Sequence, residues 1–172
     1  EAITLTDTSV DAAVLNTLDG NTSGTIDATA ITTLTGAAAD LITAYDSAGI
    51  SNLGDEAITL TDTSVDAAVL NTLDGNTSGT IDATAITTLT GAAADLITAY
   101  DSAGISNLGD EAITLTDTSV DAAVLNTLDG NTSGTIDATA ITTLTGAAAD
   151  LITAYDSAGI SNLGDEAITL TD

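Results

Sequence analysis

Lysine, arginine, histidine, cysteine, methionine, proline, phenylalanine and tryptophan are all missing from these 172 residues, so 26 carboxylates face no side-chain cation and the formal net charge is −26. Each absence excludes something. Nucleic acid is not expected as a partner, because nothing can neutralise a phosphate, and anionic membrane surfaces are excluded for the same reason. Without cysteine there are no disulfides and no thiolate metal sites, and the redox compartment stays open. With no His, Cys or Lys there is no base or nucleophile suited to neutral pH, and the Ser and Thr hydroxyls have no partner to activate them. Two carboxylates suffice in principle to cleave a glycosidic bond, yet identical copies of a short segment offer no unique cleft, so the chain is expected not to be an enzyme. No run of about 18 apolar residues occurs, which argues against membrane insertion. Any secretion signal would lie outside this sequence.

What is present is aliphatic. Hydrophobic residues make up 44% and mean hydropathy is +0.34, which lets an acidic chain fold instead of staying disordered. The core must be Ala, Val, Leu and Ile, with one Tyr per repeat. The repeat itself is EAITLTDTSVDAAVLNTLDGNTSGTIDATAITTLTGAAADLITAYDSAGISNLGD. It fills residues 1–55, recurs unchanged as 56–110 and 111–165, and restarts over 166–172. A fixed period of this kind signals stacked units that bury their apolar faces against their neighbours. The expectation is one continuous solenoid, read as a window on a longer array because neither end carries a polar capping unit.

Within one repeat, Ala2 to Thr6 alternates Ile3 and Leu5 with Thr4 and Thr6, the pattern of a short half-buried strand. Thr8 or Ser9 is placed to cap a helix over Val10 to Leu18, with Asp11 in its first turn and Gly20 at its C-terminal end. A second strand is expected at Thr25 to Ala28, with Ile26 and Ala28 inward and Asp27 outward. Ala30, Ile31 and Leu34 read as a helical turn or arc. Thr35 is then the expected cap of a helix over Gly36 to Tyr45, where Ala38, Leu41, Ile42 and Tyr45 share one face, and Gly49 ends it. The fold class that follows is α/β, a tandem-repeat solenoid with two strand–helix coils per 55-residue unit and right-handed crossovers. The alternative is an all-α solenoid in which EAITLTD is an extended linker. Equivalent residues are expected to recur about every 10 Å along the stack, so that Asp40, Asp46, Asp55 and Glu56, read as solvated, form like-charged columns that salt or divalent cations relieve.

One motif has metal-ligand spacing. Asp19, Asn21, Ser23 and Asp27 supply oxygens at positions 1, 3, 5 and 9 of an EF-hand-type loop, the turn glycine falls at Gly24, and Thr25 offers its carbonyl. The loop recurs as Asp74, Asn76, Ser78, Thr80 and Asp82, and as Asp129, Asn131, Ser133, Thr135 and Asp137. The ion it points to is Ca2+. Position 12, where that motif carries a bidentate Glu, is Ala30, so the site lacks two ligands unless a neighbouring coil supplies them; the competing reading is a helix end, a turn and a solvated strand aspartate. Thr-Leu-Thr at Thr4–Thr6 and Thr33–Thr35 is a weak pointer to an ice-ordering face, interrupted by Asp27. Asn21-Thr22-Ser23 fits a glycosylation acceptor.

LNTLDGNTSGTIDA, TTLTGAAADLITAY and GISNLGDEAITLTD resemble repeats of giant secreted cell-surface proteins of marine cyanobacteria, the motility- or adhesin-like surface proteins. The resemblance implies export, a cell-surface location, a role as filament, spacer or stalk, and calcium-dependent folding through the Asp19–Asp27 loops. Composition points the same way: perfect repetition favours uniform length over a unique site, and a chain of one charge stays soluble. The expected partner is the chain itself, by self-association end to end or side by side. Two other functions remain open, an adhesin binding glycans by avidity and an acidic calcium buffer disordered without metal.

Overall fold

The computed structural model describes residues 1–171. In the first repeat the elements are β1 (Ile3–Thr4), β2 (Ser9–Asp11), α1 (Ala12–Asn21), β3 (Ile26–Asp27), β4 (Thr33–Gly36), α2 (Ala38–Asp46) and β5 (Ile50–Ser51). The second repeat gives β6 (Ala57–Leu60), β7 (Ser64–Asp66), α3 (Ala67–Asn76), β8 (Ile81–Asp82), β9 (Thr88–Gly91), α4 (Ala93–Asp101) and β10 (Ile105–Ser106). The third gives β11 (Ala112–Leu115), β12 (Ser119–Asp121), α5 (Ala122–Asn131), β13 (Ile136–Asp137), β14 (Thr143–Gly146), α6 (Ala148–Asp156) and β15 (Ile160–Ser161), and β16 (Ala167–Leu170) opens the fourth. Strands and helices alternate, every strand pair is parallel, and no sheet closes into a barrel among the described residues. This is an α/β repeat fold of solenoid type. EAITLTD supplies strands in every copy, which removes the all-α alternative.

Two compact units partition the chain. The first comprises Glu1–Thr63, Val69–Ile86 and Ala103–Asn107, and the second Ser64–Ala68, Thr87–Ser102 and the residues from Leu108 onward. The first unit contains the sheets β1-β3-β5 and β2-β4-β6-β8-β10. In the latter, Val10, Leu34, Ile58, Ile81 and Ile105 lie side by side. Val10 to Leu34 and Leu34 to Ile58 are steps of 24 residues, and Ile58 lies seven residues before Val65, where the next copy of Val10 falls. Two 24-residue coils and a seven-residue step thus make one repeat. The second unit repeats the design in β7-β9-β11-β13-β15, with β12-β14-β16 beside it.

Within the sheets, equivalent residues do not form columns; Asp40 and Asp46 lie on α2, and Asp55 and Glu56 lie outside the strands. Each five-stranded sheet contains the five strand types of the repeat once each, so equivalent residues never share a sheet. The outward row Asp11, Thr35, Thr59, Asp82, Ser106 separates its two carboxylates by two threonines. Hydroxyl-bearing neighbours and solvent thereby dilute the repulsion that stacked aspartates would create.

The core is the inward set of these ladders. Leu34, Ile58, Leu60 and Ile81 in the first unit, and Leu89, Ile113, Leu115 and Ile136 in the second, are at most 2% exposed. Helices close the other side of each coil through Leu15, Leu41 and Ala44. α1 packs on α2, and α4 on α5 on α6. The inward rows are aliphatic, with Val, Leu and Ile side by side on parallel strands about 4.8 Å apart.

Several local expectations are corrected. Ser9–Asp11, assigned to a helix start, is a strand because it pairs with Thr33–Thr35. The helix begins at Ala12, and Asp11, not Thr8 or Ser9, caps it by accepting from the Ala13 and Val14 N–H groups at 2.9 and 3.3 Å. It runs through Gly20 to Asn21, so Gly20 is not its terminator. The arc around Leu34 is strand β4, and the second helix starts at Ala38, with Ala37 and not Thr35 in the capping position.

Candidate functional site

Three loops carry calcium-ligand spacing, over residues 19–27, 74–82 and 129–137. In each, the helix that precedes the loop continues through positions 1 to 3, so Asp19 and Asn21 are helical, as are Asp74 and Asn76 in α3 and Asp129 and Asn131 in α5. Asp19 turns to the next coil, where its Oδ2 accepts from the Ser47 hydroxyl at 2.6 Å, and Asp129 does the same with Ser157 at 2.7 Å. The Thr25 carbonyl accepts from Ile3 N–H at 2.9 Å, and Thr80 and Thr135 serve Ile58 and Ile113 alike. Ser78 and Ser133 donate their N–H groups to Gly54 and Gly109, and Ser23 is exposed in the turn. Asp27 stands on β3 and receives, at Oδ1, the Thr29 hydroxyl at 2.6 Å, the Thr29 N–H at 3.1 Å and the Asn52 amide at 2.8 Å.

The donors therefore fan out to separate tasks. Asp82 and Asp137 repeat the Asp27 arrangement with Thr84 and Asn107, and with Thr139 and Asn162. The threonine hydroxyl foremost, then the asparagine amide, hold these three carboxyls below the usual carboxylate range. That chemistry is a turn lock: Asn52, Asn107 and Asn162 adopt left-handed φ of 66°, 65° and 64°, a conformation asparagine tolerates better than most residues, and the aspartate one coil earlier fixes the amide. No group of three or more acidic residues able to hold a metal occurs among the described residues. The loop geometry does not fit an EF-hand cage, which needs six to eight oxygens around one point.

A second cluster surrounds the glutamate of each junction between copies. Contrary to the expectation of a solvated position, Glu56 is 0% exposed, as is Glu111, and Glu166 is 9% exposed. The Glu56 Oε2 accepts from the Tyr45 hydroxyl at 3.0 Å and the Gly54 N–H at 2.9 Å, while its backbone carbonyl accepts from Thr77 Oγ1 at 2.7 Å. Tyr100, Gly109 and Thr132 do the same around Glu111. Oε1 of both glutamates is buried without a partner, as are the Asn76 and Asn131 amide nitrogens. Burial foremost, then the glutamate charge, push the Tyr45 and Tyr100 phenols above their ordinary value. One signal marked this site: each repeat carries a single glutamate among its many aspartates, and the longer side chain is what reaches the tyrosine.

Two further readings lose ground on geometry. The buried amide nitrogens of Asn76 and Asn131 have no room for a glycan in the inner copies. Thr-Leu-Thr does not build a threonine rank, since Thr4 pairs with Asp27 and Thr59 lies between Thr35 and Asp82. What the surface offers is short rows of hydroxyls and carboxylates along the strand ladders. Comparison with known families, curated proteins and solved structures finds no match to this chain.

Proposed function

We propose that this chain is a stretch of an extracellular structural array, a cell-surface filament, spacer or stalk, and that it carries no catalytic activity. The observation that supports this reading most is the recurrence of the same bonds in successive copies: Tyr45–Glu56, Tyr100–Glu111 and Tyr155–Glu166 at 3.0, 3.1 and 3.0 Å. Such repetition sets a length without creating a unique cleft. The residue-level resemblance to giant secreted surface proteins supports the same location. Small-angle scattering on arrays of two, three and six copies tests it. A spacer lengthens in proportion to copy number, whereas growth with roughly the 0.38 power of residue number, as in a compact globule, defeats the reading.

A binding role is the second reading, supported by the outward row Asp11, Thr35, Thr59, Asp82, Ser106, whose hydroxyls and carboxylates match the hydrogen-bonding groups of polysaccharide. A glycan array separates the two, because a pure spacer retains nothing. Calcium enters as a screening ion for 26 carboxylates, not as a caged one. Thermal unfolding with calcium, with magnesium at matched ionic strength and with chelator decides this: equal stabilisation by both ions supports screening, and a rise specific to calcium restores the loop sites.

A further inference from the structure

Two junctions between copies enclose a donor and an acceptor for which the protein supplies no partner. The acceptor is Oε1 of Glu56 and again of Glu111, both 0% exposed, and the donor is the buried side-chain nitrogen of Asn76 and of Asn131. Short contacts hold the asparagine beside the glutamate. Thr77, next to Asn76, donates its hydroxyl to the Glu56 carbonyl at 2.7 Å, and the Ser78 N–H donates to the Gly54 carbonyl at 2.8 Å. Gly54 in turn donates its N–H to Glu56 Oε2 at 2.9 Å, and a Cβ on Gly54 would lie 4.0 Å from the Asn76 carbonyl oxygen. Thr132, Ser133 and Gly109 repeat these contacts between Glu111 and Asn131. In the first copy the corresponding Glu1 and Asn21 border one depression with Thr22 and Ser23. The Glu56 set lies wholly in the first compact unit and the Glu111 set wholly in the second.

We propose that each of these junctions is a binding site for one internal water molecule, which donates a hydrogen to the glutamate Oε1 and accepts one from the asparagine Nδ2. The two protein atoms select that occupant. A carboxylate oxygen accepts and an amide N–H donates, so the bridging species must do both. A metal ion cannot accept from the amide, and an anion is repelled by the carboxylate. A hydroxyl carried by a sugar or a peptide is too large for a site whose glutamate is wholly buried. Moving the carboxylate to meet the amide directly would cost its Oε2 bonds to the Tyr45 hydroxyl at 3.0 Å and the Gly54 N–H at 2.9 Å. Leaving a buried donor and a buried acceptor both unsatisfied costs more than immobilising one water between them. The water links the residue that opens β6 to the last residue of α3, behind the tyrosine of the preceding copy, and links β11 to α5 in the same way. It serves the junction whether the array acts as a spacer or as a binder.

A high-resolution crystal structure of the 172-residue chain, paired with nuclear Overhauser measurements between water and the side-chain amides in solution, is the test. The expected density is one water within about 3 Å of both Oε1 and Nδ2 at each junction. In solution the side-chain amide protons of Asn76 and Asn131 give cross-peaks to water with the sign of a molecule that tumbles with the protein. Asn131→Leu, close in volume, removes the donor, and magnetic relaxation dispersion of the water oxygen then counts one long-lived water fewer than in the unaltered chain. Asn76→Leu and Asn131→Leu combined remove two. A direct bond between Nδ2 and Oε1, a metal ion in the water's place, no density at either junction, amide protons without those cross-peaks, or an unchanged water count in folded variants overturns the proposal. Where a leucine variant fails to fold, the density and the cross-peaks of the unaltered chain decide.

Discussion

Asp117 and Asp121 lie four residues apart and cap different helices. Asp121 accepts from Ala123 N–H at 2.9 Å and starts α5, the helix that follows it. Asp117 reaches back one coil, where its Oδ2 accepts from Ala93 N–H at 2.6 Å at the start of α4, which has no side-chain cap of its own. The same division separates Asp11 from Asp62, whose Oδ2 accepts from Ala38 N–H at 2.7 Å. In each of the first two repeats one helix is therefore capped by its own segment, and the other by the copy that follows. A carboxylate near a helix N-terminus satisfies an orphan N–H and the helix dipole equally well from either source. The difference lies in dependence: the second helix is complete only inside an array.

The largest expected break in that comparison removes the other tie between copies. Glu111→Ala strips Tyr100 and Gly109 of their acceptor and opens a void in a fully buried position, for about 2–4 kcal/mol. Glu111→Gln, which keeps the volume and removes the unpartnered charged oxygen, is expected to cost under about 1 kcal/mol or to stabilise. Chemical denaturation of the two variants checks the order, and equal losses would mean that the charge itself holds the junction.

Smaller and more local effects follow at the caps. Asp117→Ala is expected to cost about 1–2 kcal/mol and Asp121→Ala about 1 kcal/mol. Hydrogen exchange should show fraying of residues 93–101 in the first and of 122–131 in the second; fraying of the same helix in both would erase the distinction.

The smallest effects come with pH. The tyrosine phenols at 45 and 100 are held above their ordinary value of 10.0, so their contribution is complete below pH 10 and is lost as pH rises through the folded value. Asp82 and Asp137 are held below 3.8, so theirs is present above that pH and lost as it falls. A melting-temperature profile should decline at both extremes, and Asn107→Ala should flatten only the acid side.

EAITLTD as strand, Ile26 and Ala28 as inward residues and the α/β repeat class were legible because alternation and period are properties of the chain alone. β2, β4 and β5 were not, since each carries a single apolar residue, Val10, Leu34 or Ile50, and one apolar position shows no alternation against a helical reading. Their identity as strands comes from the neighbour 24 residues away. The loop donors looked convergent on spacing, but spacing fixes reach and not direction: the helix continued through Asn21, and Asp19 and Asp27 each found partners in the adjoining coil.

The sequence by itself determined the repeat, the cation-free charge, the aliphatic core and the exclusion of thiol chemistry, because these depend on which atoms are present. Only the tertiary structure decided which strand lies beside which, that Glu56 is buried against Tyr45, and that Asp117 caps a helix of the copy before it. Those outcomes depend on residues brought within 3 Å across coils, and local propensity carries no information about a partner 11 or 24 residues distant.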